Sequence, residues 1–99
     1  MKLGKIVGNV VSTQKDEKIV SLRLFLVQDL NLDLTNKSSF VVAADSVGAG
    51  VGEVVLYASG SSGRMTSVTK DRPIDAVIMA IVDMMTLEDE VSYQKGVDD

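Results

Sequence analysis

An all-β fold, a small barrel or sandwich built as one domain of 99 residues, is what the sequence predicts, and three observations carry it. Short runs rich in Val, Ile and Leu recur along the chain. The turns between them hold glycine, and no strand-helix alternation repeats as a parallel sheet would need. No internal repeat or linker divides the chain.

The first strand is read over Lys2 to Thr13, where Lys5, Val7, Asn9 and Val11 fall on one side and Ile6 and Val10 on the other. The charged stretch Lys15-Asp16-Glu17-Lys18 separates it from "IVSLRLFLVQ", the clearest strand of the chain. There Val20, Leu22, Leu24 and Leu26 make a continuous apolar face. The opposite face, Ile19, Ser21, Arg23, Phe25 and Val27, is mixed, which suits a side turned to solvent or to a neighbouring chain. Asp29 to Ser39 is rich in turn formers and reads as a loop with room for a short extended piece. "FVVAADSV" follows as a third strand and "EVVLYA" as a fourth, of β-branched and aromatic type.

Ser59 to Arg72 reads as a loop with room for one helical turn near Ser61 to Met65. In "PIDAVIMAIVDMM", Ile74, Val77, Ile78, Ile81, Val82 and Met85 fit a helical stripe, whereas Ile74, Ala76, Ile78, Ala80 and Val82 fit a strand. Periodicity leaves both open. The last stretch, "LEDEVSYQKGVDD", is acidic and is expected to fray or to pack loosely.

Composition narrows the chemistry. Neither cysteine nor histidine occurs, which removes the thiolate nucleophile, the usual general base and the two commonest zinc ligands. Isolated groups such as Asp45, Lys70 and Asp75 are a poor basis for a hydrolase or lyase, so no enzyme, metal or cofactor is expected. Residues 83–99 hold six acids and one lysine, a net charge of −5 against −4 for the whole chain, so residues 1–82 carry +1. The N-terminus lacks the unbroken apolar core of a secretion signal, and the longest apolar run, Ala76 to Val82, is far short of the ~20 residues that span a bilayer. A cytoplasmic protein without membrane contact is expected. With 45% hydrophobic residues in so small a body, association with further copies is expected as well.

Five of the eight glycines lie between Asp45 and Arg64. Gly48-Ala49-Gly50 follows a strand, as a dinucleotide fingerprint should, but Glu53 stands where the third glycine belongs and a strand-like segment follows instead of a helix. No Gly-Lys-Ser/Thr of a nucleoside-triphosphate loop occurs either. The remaining reading is a turn that needs positive φ and room for close backbone contact.

"LGKIVGNVVSTQK", "LFLVQ", "AADSVGAGVGEVVL", "GSSGR" and "PIDAVIMAIVD" stand in the order and approximate spacing of the EutN/CcmL-type vertex proteins of bacterial microcompartment shells, and the chain resembles that family up to Asp83. Gly63, Ser12 and Asp29 depart from the family's usual alanine, alanine and proline. The resemblance implies a partly open, OB-like barrel of about five strands with at most a short helix, and it turns the ambiguous 74–85 segment toward a strand. It divides the chain into a vertex barrel domain, residues 1–83, and an acidic C-terminal tail, residues 84–99, which it leaves without a role.

The resemblance further implies a homopentamer that caps the vertices of a polyhedral shell, with hexagonal BMC-domain shell proteins as partners. No residue identifies a cargo enzyme. On that reading Asp45, Gly48, Gly50, Gly52, Glu53, Ser61, Ser62 and Arg64 lie at a subunit interface or the five-fold axis, with Glu53 accepting backbone amides or pairing with Arg64. The alternative is an OB-like nucleic-acid or ligand-binding module. A pI near 4.6 and only Phe25, Phe40, Tyr57 and Tyr93 as aromatics speak against it, because single-strand binding needs a basic, stacking groove.

Overall fold

Alternating apolar residues in the first half of the chain pair as an antiparallel meander that curls onto itself. The computed structural model describes residues 1–11, 23–60, 76–88 and 90–97. Strand β1 (Lys2–Val10) pairs with β2 (Leu24–Leu30), which pairs with β3 (Asn36–Asp45). On its other edge β1 pairs with β4 (Val54–Ser59), which pairs with β5 (Ala76–Ile81). A parallel junction of β3 with β5, Ala44 opposite Val77 and Asp45 opposite Ile78, closes the ring in the order β1-β2-β3-β5-β4. Among the described residues those two register pairs make the closing seam, and closure removes the free edges that would otherwise recruit other chains.

No helix occurs among the described residues. The segment that periodicity left open is extended, first as β5 and then, after Val82 and Asp83, as β6 (Met84–Leu87). The helical turn expected near Ser61 to Met65 lies outside the described residues. In the stretch read as a loop over Asp29 to Ser39, β2 runs on to Leu30 and β3 already begins at Asn36. Only 31–35 forms the connection, closed by Asn31 N–H donating to the Thr35 carbonyl at 2.9 Å and by Asp33 Oδ1 accepting the Thr35 N–H at 3.0 Å. Polar residues at 36–39 obscured that strand, because it is an exposed ladder stabilised by its neighbour and not by an apolar face.

The barrel interior is filled by Ile6, Phe25, Val27, Ala43, Val55, Tyr57 and Ile78, none more than 2% exposed. This reverses the expected faces of β2. Phe25 and Val27, from the mixed side, point into the core, whereas Leu24 and Leu26 stand half-buried on the outside. Alternation fixes which residues share a face but not which face turns inward when both carry apolar groups. Arg23, the residue that made the inner face look polar, sits at the barrel end with its guanidinium 4.9 Å from the centre of the Phe25 ring.

The acidic C-terminal stretch does not fray over the described residues. β6 and β7 (Glu90–Gln94) form an antiparallel hairpin whose Tyr93, 3% exposed, packs with Leu30 and Val54. Leu3, Leu34, Val82 and Met85 complete this second cluster, which joins hairpin to barrel. A hairpin alone is marginal in water, and the buried ring is what holds this one down.

Candidate functional site: the glycine turn

The chain leaves β3 at Asp45 and re-enters the barrel at Val54, and the turn between them contains the three closely spaced glycines. Asp45 organises its first half: Oδ1 accepts the N–H groups of Val47 and Ala49, both at 3.1 Å, and Oδ2 accepts that of Gly48 at 3.0 Å. Ser46 Oγ donates to the Ile78 carbonyl at 2.5 Å, tying the turn to β5. Ala49, 1% exposed, plugs into the core, while Val47 and Val51 on either side project outward, 38% and 55% exposed.

Gly48 and Gly52 have φ of 77° and 98°, in the left-handed region where a side chain strains the backbone, so local geometry alone demands glycine there. Gly50 differs. Its φ is outside that region, and an added Cβ would meet nothing closer than Glu53 Oε1 at 3.6 Å. Among the described residues nothing requires glycine at this position.

Glu53 organises the second half. Its Oε1 accepts the Gly50 N–H at 2.6 Å, and its own N–H donates to the Gly50 carbonyl at 3.2 Å. The Glu53 carbonyl accepts the Ile6 N–H at 3.0 Å, and Gly52 N–H donates to the Ile6 carbonyl at 2.8 Å, so the turn is laced to β1. Lys95, just past β7, places its Nζ 2.6 Å from Glu53 Oε2.

This geometry excludes a phosphate cradle. The amides of residues 47, 48, 49, 50 and 52 all donate to acceptors within the chain, and two carboxylates occupy the positions an anion would need. Among the sequence-predicted site residues, the structure brings Asp45, Gly48, Gly50, Gly52 and Glu53 into one turn. Ser61, Ser62 and Arg64, with the expected Glu53–Arg64 pair, lie outside the described residues. Sequence reasoning missed Lys95, for which no local signal exists, because its approach to Glu53 depends on how the C-terminal hairpin docks.

It also missed an outward apolar row on β2 and β3 of the barrel. Leu26 pairs with Val42 on one side and Gly8 on the other, and Leu24 with Ala44 and Val10. Phe40 and Val42 in this row are 55% and 49% exposed. An exposed phenylalanine beside valine and leucine on one sheet face is the kind of surface that a partner covers.

The family model described as "Ethanolamine utilisation protein EutN/carboxysome" matches residues 1–83. The "Carboxysome shell vertex protein CcmL" of Nostoc sp. is 41% identical over 96 residues, 96% of this chain and 95% of that protein. Its solved structure superposes with a TM-score of 0.89 over 96% of this chain and all of that one. The "Bacterial microcompartment shell vertex protein GrpN" of Rhodospirillum rubrum is 42% identical over 83 residues, 84% of this chain and 93% of that protein. A solved structure described as a GrpN pentameric microcompartment shell protein superposes at 0.79, covering 88% of this chain and 99% of its own. The likeness to Nostoc CcmL, at 96 aligned residues, runs on past Asp83 into the C-terminal hairpin.

Proposed function

The chain belongs to the EutN/CcmL family, and on that premise we propose that it is a structural, non-enzymatic subunit of a bacterial microcompartment shell, five copies of which cap a vertex. Flat arrays of hexagonal units cannot enclose a volume, and five-fold units at the corners supply the closing curvature. Hexagonal BMC-domain shell proteins are then the lateral partners, and the shell within the bacterial cytoplasm is the location.

A closed ring needs a heterologous interface, in which one patch of each subunit meets a different patch of the next. We assign one patch to the glycine turn, with Asp45, Gly48, Gly50, Gly52 and Glu53, and join to it Ser61, Ser62 and Arg64, which follow β4 in the sequence. The outward row of Leu24, Leu26, Phe40 and Val42 is assigned as the apolar patch. Residues 1–83 form the assembling barrel unit, with 84–99 as its appended acidic segment.

One observation carries the seam assignment: Gly50 is a glycine without a conformational reason to be one, beside two exposed valines. A close approach by another backbone supplies the missing reason. The test is native mass spectrometry of wild type and Gly50→Val. Wild type should give five copies of 10.6 kDa, about 53 kDa. Gly50→Val should keep the strand signal in circular dichroism, lose the pentamer, and leave shells open or elongated when hexagonal partners are co-expressed. Pentamers and closed shells from Gly50→Val would remove the turn from the seam; a wild-type monomer at all concentrations would remove the vertex reading itself.

A further inference from the structure

The carboxylate of Glu53 is engaged at both oxygens by parts of the chain far apart in sequence: Oε1 by the Gly50 amide and Oε2 by Lys95 Nζ, each at 2.6 Å. We propose that Lys95 is a positioning residue for assembly. Carried on the C-terminal hairpin, its ammonium holds Glu53 in the rotamer that fixes the Gly50 amide, and so sets the turn in the shape that meets the next subunit. This rests on the reading of the turn as a subunit seam.

Both ends of the linkage are anchored. Lys95 N–H donates to the Asp83 carbonyl at 2.8 Å, Gln94 pairs with Met84, and the buried Tyr93 ring pins the hairpin to the barrel two residues earlier. Glu53 is held through its own backbone by Gly50 and by Ile6 of β1. The ion pair adds a restraint on the two side chains that links these anchored ends. At 38% and 19% side-chain exposure the pair contributes little to the stability of one subunit, so its consequence is geometric. Around a ring a small bias compounds. A factor of about two to three at each seam becomes roughly a hundredfold over five, which moves the midpoint concentration of pentamer dissociation about threefold because assembly depends on its fourth power.

The same inference gives the C-terminal segment a purpose. Acidic as a whole, it delivers one cation to the turn, and that cation meets the one glutamate whose other oxygen holds the turn's Gly50 amide.

The experiment compares wild type, Lys95→Gln, Lys95→Arg and the exchange Lys95→Glu with Glu53→Lys, all in the full chain. Dilution series by sedimentation velocity read assembly, and hydrogen exchange reads the Gly50 amide. Lys95→Gln should raise the dissociation midpoint about threefold and speed exchange at Gly50, with the strand signal unchanged. Lys95→Arg should restore both. The exchanged pair restores opposite charges but offers no acceptor to the Gly50 N–H, so it should not rescue assembly. A wild-type pentamer whose midpoint and Gly50 exchange are indifferent to Lys95→Gln would overturn the proposal, as would full rescue by the exchanged pair. If wild type forms no pentamer, the seam reading fails instead, and Gly50 exchange alone then decides whether Lys95 orders the turn.

Discussion

An added Cβ at Gly4 would stand 2.4 Å from Val27 Cγ1 and 3.0 Å from the Gln28 carbonyl oxygen, with the Tyr57 ring at 3.6 Å. Gly4→Ala should therefore cost about 1–3 kcal/mol by overpacking a strand crossing that has no slack, measured as a lowered midpoint in urea. Asp45 is a different kind of site, since its carboxylate replaces lost backbone partners for three amides of the turn. Asp45→Ala should cost about 2 kcal/mol. Asp45→Asn should cost less, because a single oxygen still accepts from Val47 and Ala49.

Tyr57 adds a pH signature to the residue scale. Its ring is 2% exposed and its hydroxyl donates to Asp29 Oδ1; burial first, and then that bond to a carboxylate, hold the phenol well above its ordinary value near 10. The neutral phenol is thus favoured in the folded state, so the contribution is complete below pH ~10 and falls away as the unfolded tyrosine begins to ionise. Denaturation midpoints between pH 9 and about 11 should fall more steeply for wild type than for Tyr57→Phe. Equal slopes would mean that Tyr57 ionises as freely folded as unfolded.

At the scale of elements, the C-terminal hairpin depends on its dock. Two strands with exposed Met84, Leu87 and Val91 have no independent core, and the Leu30, Val54 and Tyr93 cluster is what joins them to the barrel. Tyr93→Ala should cost about 3 kcal/mol and expose the amides of 84–94 to rapid hydrogen exchange while β1 to β5 stay protected. Uniform loss of protection would instead make hairpin and barrel one cooperative unit.

For the whole molecule, the question is which surface closes the ring. Val42 is half exposed in the single subunit and lies in the outward row beside Leu26, so Val42→Lys should fold with normal strand content yet fail to reach ~53 kDa, and its melting midpoint should fall by what assembly contributes to wild type. Assembly of Val42→Lys at wild-type concentrations would move the apolar patch of the seam elsewhere.

The sequence by itself determined the first four strands in outline from β-branched runs, the glycine turn from spacing, and the family from five collinear segments. It also excluded histidine and cysteine chemistry outright, and local composition suffices for each of these. Only the tertiary structure decided which face of β2 turns inward, because Leu24 and Leu26 are as apolar as Phe25 and Val27, and choosing between them requires knowing what encloses the strand. Likewise 36–39 became strand and not loop by pairing with β2, and the C-terminal segment was ordered by burying Tyr93. The turn divides in the same way: its need for glycine was legible, but which glycines serve φ and which does not, and that Lys95 meets Glu53, depend on contacts between segments remote in sequence. Such contacts leave no local pattern, since they are settled by the closure of the barrel and the docking of its last hairpin.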